Sequence, residues 1–180
     1  IVGTPASGKS TLAETLSAYI PNYCIVPMDG FHRDNDDLSH HDLLSHKGAP
    51  ETFDVAGFLT VVRSLAKQGE VDFPVFDRGN DCVVEQGGKI LATDETIIVE
   101  GNYLLLDEMP WCDLAKCWDF SVFLDVPLEV LETRLVQRWL DNGYDYDGAV
   151  KRAQGNDIPN AKRTVQKSMK ADHVVSLDSL

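Results

Sequence analysis

Nowhere in this 180-residue chain is there an apolar run of the length, about 18 residues, that a membrane-crossing helix needs. Positive charge is also scarce. Sixteen Lys and Arg stand against 29 Asp and Glu, a formal net charge of -13, and a surface so charged repels DNA, RNA and acidic membranes. Neither nucleic acid nor a membrane is expected as a partner, so any phosphate-bearing ligand must be held by a local cluster of cations. Cysteine is sparse, and Cys24, Cys82, Cys112 and Cys117 form no C-x-x-C pair. A chain this long needs no disulfide framework, so reduced thiols in a cytoplasmic setting are expected. Internal repeats, low-complexity linkers, a signal-peptide pattern and an initiator Met are all missing. With 43% apolar residues the length suits one domain over residues 1–180. Its first strand is expected to be truncated, since only Ile1 and Val2 precede the first motif.

That motif is Gly3-x-x-x-x-Gly8-Lys9-Ser10, the spacing of a P-loop. Its glycines allow close backbone approach, and its N–H groups together with the next helix N-terminus direct partial positive charge at phosphates. The nucleotide-binding residues are therefore read as Gly3, Ala6, Ser7, Gly8, Lys9, Ser10 and Thr11. Lys9 would reach the β- and γ-phosphates, Ser10 would offer its hydroxyl to Mg²⁺, and Thr11 would serve the α-phosphate. Leu12, Leu16 and Tyr19 or Ile20 recur at helical spacing, so a helix follows the loop.

Further on, strand and helix alternate. The almost continuous apolar run at 23–28 ends in Asp29, and the run at 96–99 ends in Glu100, as in parallel strands covered on both faces. Asp54 is placed as the N-cap of a helix with Val55, Phe58, Leu59, Val62 and Leu65 on one side and Gly69 at its end. Residues 71–76 and 82–92 read as short strands, with a hairpin turn at Gly87-Gly88. A strand over 119–127 leads into a helix with Leu128, Leu131, Leu135 and Trp139 on one face, ending near Gly143, and 172–177 reads as a last strand. The class is α/β, a P-loop NTPase fold with a mostly parallel sheet, helices on both faces, a small hairpin and a lid helix region.

Ligands of open parallel sheets sit beyond the carboxyl ends of the strands, which is where Asp29 and Glu100 emerge. Glu100 is the candidate to help Ser10 hold Mg²⁺, with a simple strand-end cap as its alternative. Asp29 suits the carboxylate that orients an acceptor hydroxyl and takes its proton, with a turn-forming Asp before Gly30 as the competing reading. A switch GTPase is excluded by the missing Asn-Lys-x-Asp motif. The Asp-x-x-Gly matches at Asp54–Gly57 and Asp145–Gly148 do not follow buried strands. His40, His41 and His46 lack the spacing and partners of a zinc site. Trp111, Trp118 and Trp139 read as packing residues.

The segments "GTPASGKS", "PMDGFH", "KGAPETFD", "PVFDR" and "IIVEGNYLLLD" resemble the small-metabolite P-loop kinases grouped with uridine kinase, phosphoribulokinase and bacterial pantothenate kinase. "MDGFH" and "NDIPNA" are most similar to the uridine-kinase-like, fructose-transport-associated sugar kinase branch. The resemblance implies an ATP- and Mg²⁺-dependent kinase with an alcohol acceptor, a sugar such as fructose. It makes Asp29 the acceptor-side base, puts Phe31 and His32 beside the acceptor, and makes Arg78 an acceptor-binding arginine. Pairing of Arg78 with Asp77 or Asp81 is the alternative. It also implies that Arg134 and Arg138 belong to a lid closing over the phosphates, although both would equally suit a solvated face with Glu132 or Asp141 as partners. The catalytic set is thus Lys9, Asp29, Arg78, Arg134 and Arg138. The segment 155–161 reads as a loop that the resemblance puts near the adenine. The His- and Arg-containing segment of uridine kinases is not intact, which counts against a nucleoside acceptor. A nucleoside or pantothenate-like acceptor and a non-catalytic ATP-sensing module stay as alternatives. The expected partner is a small molecule with a free hydroxyl, and a homodimer is admitted without being required.

Overall fold

The computed structural model describes residues 1–65 and 69–176. The predicted helix positions 66–68 and the predicted strand end at Leu177 lie outside them. In chain order the elements are β1 (Val2–Gly3), α1 (Lys9–Ser17), β2 (Tyr23–Pro27), α2 (Asn35–His40), α3 (Val55–Ser64), β3 (Val71–Asp77), β4 (Cys82–Ile90), β5 (Thr96–Glu100), β6 (Val122–Asp125), α4 (Leu128–Asp141), α5 (Tyr146–Arg152), α6 (Ile158–Lys167) and β7 (His173–Ser176).

Two parallel sets, β2–β5 and β1–β6–β7, are joined by a parallel bridge between Val2 and Gly101. This gives the spatial order β2–β5–β1–β6–β7. In β2 and β5, Cys24, Val26, Ile97 and Val99 face the larger core, which α3 closes with Val55, Phe58, Leu59 and Val62. The alternate residues Ile98 and Glu100 face the other way, toward α1. Helices thus cover both faces, and the period-two alternation sets which residues each face receives. Burial of each large apolar side chain in this core contributes about 1.5–3 kcal/mol. A second cluster holds Leu131 and Leu135 of α4 against Val126, Ile158 and Ala161.

Both Asp-x-x-Gly matches are helix N-caps. Asp54 Oδ1 accepts from Gly57 N at 2.9 Å, and Asp145 Oδ1 accepts from Gly148 N at 2.8 Å.

Two expectations are corrected. The hairpin does not turn at Gly87-Gly88. β3 and β4 pair antiparallel, and the turn lies at residues 78–81, where Asp77 Oδ1 accepts from Gly79 N and Asn80 N. The paired glycines sit inside β4 because the opposite strand leaves no room. A Cβ on Gly87 would come 2.1 Å from Val75 Cγ2, and one on Gly88 would come 2.3 Å from the Phe73 ring. The segment 155–161 is not a loop either. Residues 153–157 form a π-helical turn that runs into α6, with Pro159 in its first turn, where a missing N–H is tolerated.

Candidate functional site

The loop after β1 is shaped by two left-handed residues, Ala6 (φ 62°) and Gly8 (φ 96°). Ser7 N donates to Thr4 O at 3.2 Å, and Leu12 N to Gly8 O at 2.9 Å as α1 begins. No side chain caps α1, which leaves its first-turn N–H groups for an anion. Gly3 lies beneath the loop rather than on the cavity. A Cβ there would sit 2.6 Å from Ser7 Oγ and 3.2 Å from Leu124 Cβ, so this glycine lets the loop settle onto the sheet. Ser7 is likewise buried under the loop.

A cavity of about 620 Å³ opens above the strand ends. Ala6, Gly8, Lys9, Ser10 and Thr11 line one side, and Asp29, His32, Lys47, Phe53, Phe76 and Arg78 line another. Burial pushes the Lys9 ammonium below its usual value, while the Glu100 and Asp29 carboxylates pull it back. Glu100 is 5% exposed, and its Oε1 accepts from Ser10 Oγ at 3.0 Å. Burial pushes its carboxyl up against the pull of Lys9.

Asp29 stands on a 3₁₀ turn, Met28–Phe31, whose other residues are buried. Gly30 is required there by close approach, since a Cβ would fall 1.9 Å from Pro74 O. That contact draws the hairpin onto the turn and brings Arg78 to Asp29, where Arg78 Nη2 donates to Asp29 Oδ2 at 2.7 Å. Arg78 therefore does not pair with Asp77 or Asp81. Phe31, expected beside the acceptor, is corrected to a core residue. It is buried, its ring lies 4.7 Å from that of Phe58, and it does not line the cavity.

His32 packs between Phe53 at 4.2 Å and Phe76 at 4.8 Å, centroid to centroid. Its Nδ1 lies 2.8 Å from Asp29 O, and a carbonyl only accepts, so Nδ1 carries the proton. Burial pushes the imidazolium below its usual value. The ring is thus held neutral, with Nε2 an acceptor that has no partner among the described residues.

Arg134 and Arg138, both expected in a lid, divide. Arg138 lines the cavity. Arg134 instead donates to Ala6 O at 3.2 Å and Ser7 O at 3.5 Å, gripping the back of the loop. Neither forms an ion pair with a described residue, Glu132 and Asp141 included.

Several lining residues escaped the sequence reading. Lys47 Nζ donates to Asn35 Oδ1 at 2.7 Å and to Asp81 Oδ1 at 2.8 Å, and sits 4.9 Å from the Phe76 centroid. The "KGAPETFD" segment was the available signal. Trp139, read as packing, lines the cavity and donates its indole N–H to Asp157 Oδ2, with the Arg152 guanidinium stacked on its ring at 5.1 Å. Asn156 Nδ2 donates to Lys47 O at 2.9 Å, tying the π-helical turn to the segment that carries Lys47. His40, His41 and His46 are exposed.

Ser10 and Glu100 supply one hydroxyl and one carboxylate, hard oxygen donors in contact. No group of three or more His, Cys, Asp or Glu suited to a metal occurs among the described residues. So sparse a set fits Mg²⁺, which keeps several waters and takes phosphate oxygens as its other ligands.

Comparison with known proteins gives three further findings. The profile of the Phosphoribulokinase / Uridine kinase family matches residues 1–177. A crystal structure from Silicibacter sp. TM1040, described as a "putative fructose transport system kinase", superposes with a TM-score of 0.92 at 45% identity, covering 97% of this chain and 86% of that one. "Uncharacterized protein YggC" of Escherichia coli K12 is 37% identical over 96% of this chain and 74% of its own, and a "putative uridine kinase" of Schizosaccharomyces pombe is 34% identical over 97% and 80%. Among the described helices, none is long and apolar enough to cross a membrane.

Proposed function

Because the chain belongs to the phosphoribulokinase / uridine kinase family, we propose that it transfers the γ-phosphoryl group of Mg²⁺-ATP to a hydroxyl of a small neutral metabolite, a sugar such as fructose. The observation that carries this reading is one shared cavity. The Lys9 loop and the Asp29 carboxylate line it together, and Arg78 holds that carboxylate at 2.7 Å.

Transfer through a loose transition state asks the protein for positioning and for stabilisation of spread charge. The loop N–H groups, Lys9 and Arg138 supply that positive charge. Asp29 accepts the hydrogen bond of the incoming hydroxyl and takes its proton as the new P–O bond forms and the bond from the γ-phosphorus to the bridging oxygen breaks. Ser10 and Glu100 would hold Mg²⁺, which would neutralise phosphate charge. Arg78 keeps the Asp29 carboxylate turned to the acceptor, and His32 Nε2 receives a second hydroxyl. The fructose in the description of the Silicibacter relative belongs to that protein and serves here as the first acceptor to test.

The test is a panel of sugars, nucleosides and vitamin precursors assayed for ADP release that needs both Mg²⁺ and the added alcohol. The reading expects at least one neutral sugar or polyol to raise release well above the water background. Release unaffected by every alcohol would reduce the protein to an ATP-binding sensor.

A further inference from the structure

Of the cations that line the cavity away from the loop, Arg78 and Lys47 are already neutralised, while Arg152 gives Nη1 to Ser45 O at 2.7 Å and lies over the Trp139 ring. Arg78 is paired with Asp29. Lys47, whose side chain is only 12% exposed, gives Nζ to Asn35 Oδ1 at 2.7 Å, to Asp81 Oδ1 at 2.8 Å and, more loosely, to Asp81 O at 3.4 Å. An ammonium has three donors, and those contacts engage them all. Its remaining face is turned to the Phe76 ring. A ligand carboxylate or phosphate could gain a bond from Lys47 only by displacing Asp81 or Asn35, and it would still face the Asp81 charge unless Asp81 moved, whereas a neutral hydroxyl can bind to Asp29 and His32 with the pair intact.

Asp81 is built into this position. The turn that carries it is fixed by the two N–H bonds to Asp77 Oδ1, and Asp81 itself is left-handed, with φ 51°. Burial pushes its carboxyl up, but hydrogen bonds from Lys47 and Asn35 outweigh that and hold it below the usual carboxylate range, so it is ionised.

We propose that Asp81 is a specificity-determining positioning residue: by pairing with Lys47 it makes the acceptor end take neutral polyols and turn away carboxylated or phosphorylated acceptors. This rests on the phosphotransferase reading above.

Asp81→Asn is the variant of choice, since Asn adopts the left-handed conformation as readily as Asp and the fold is retained. Two measurements are made on the full chain. In the first, matched acceptor pairs (D-fructose and D-fructose 6-phosphate, pantothenol and pantothenate, glycerol and D-glycerate) are compared by kcat/KM. The wild type favours the neutral member, Asp81→Asn moves the ratio about tenfold toward the anion, and Asp81→Glu keeps the wild-type preference. In the second, sulfate is titrated at constant ionic strength onto protein loaded with Mg²⁺-ADP, and the melting temperature is followed. Asp81→Asn responds at about tenfold lower sulfate than the wild type. A wild type that handles anionic acceptors as well as neutral ones, or an unchanged sulfate response in Asp81→Asn with Mg²⁺-ATP affinity retained, overturns the proposal. If no acceptor in the panel supports ADP release, the phosphotransferase reading fails by itself, and the sulfate titration still decides whether Asp81 controls anion entry.

Discussion

At the P-loop end of the cavity, Lys9 and Arg138 line the wall without an ion-pair partner among the described residues, whereas at the opposite end Arg78 and Lys47 each carry a carboxylate, Asp29 and Asp81. These two pairs of cations differ in what the fold has placed beside each, and Arg152, which also lines the cavity, is held by Ser45 O and the Trp139 ring instead of a carboxylate. Unpaired positive charge beside uncapped amides awaits negative charge from a ligand. A paired cation has already met its counter-ion and serves to orient it. The chain's overall charge of -13 therefore says little about this site, because the local arrangement decides which end binds phosphate.

The comparison can be broken most severely at the loop. Lys9→Met should lower acceptor-dependent ADP release on the order of 10³-fold, the scale of losing a preorganised charge donor. A loss of only a few-fold would mean that the amides alone carry the phosphates.

Glu100→Gln comes next. The buried Glu100 carboxyl is raised above its ordinary value, so it takes a proton at a higher pH than an exposed glutamate. Protonated, it no longer attracts Mg²⁺. The Mg²⁺ requirement of the wild type should therefore rise as pH falls through that raised value, while Glu100→Gln should need roughly tenfold more Mg²⁺ at every pH. Stability carries the opposite sign. Between the unfolded and the raised folded values the native state holds the extra proton, so wild-type stability falls as pH rises through that window. Glu100→Gln should flatten this fall in a series of melting curves.

Arg134→Met sharpens the distinction between Arg134 and Arg138. It removes the bonds to the Ala6 and Ser7 carbonyls, and Mg²⁺-ATP affinity should weaken about tenfold, more than kcat changes. Equal losses in both would place Arg134 with the transferring group instead. The smallest effect on nucleotide binding is expected from Gly88→Ala, which acts on the fold by forcing a Cβ onto the Phe73 ring beneath the hairpin that carries Arg78 and Asp81. The fold should lose about 1–3 kcal/mol, measured by denaturant titration, with Mg²⁺-ATP affinity kept.

Much of the frame was legible because local chemistry fixes it. The apolar runs ending in Asp29 and Glu100 are strands whose ends open onto the loop, and Asp54 caps its helix through its own side chain. Gly87-Gly88 misled, since a glycine pair looks the same in a turn as in a strand that another side chain overlies. The segment 155–161 misled because its Asn, Asp and Pro are turn formers that here sit on a π-helical turn and the first turn of α6. Lys47 and Asp81 could not be paired from sequence, being 34 residues apart and joined only by the fold. The same holds for Trp139 and Asp157, which meet between α4 and the turn before α6. Phe31 could not be separated from His32 by sequence, because only the turn geometry sends one side chain into the core and the other to the cavity.

The most direct measurement is Asp29→Asn in the full chain, with Mg²⁺-ATP affinity and acceptor-dependent ADP release followed side by side. The account predicts an affinity within about twofold of wild type and a release rate lower by roughly 10²–10⁴-fold, the range expected for losing a general base. A variant that keeps the wild-type rate, or one whose affinity for Mg²⁺-ATP falls in step with its rate, would contradict the assignment of that carboxylate to the acceptor.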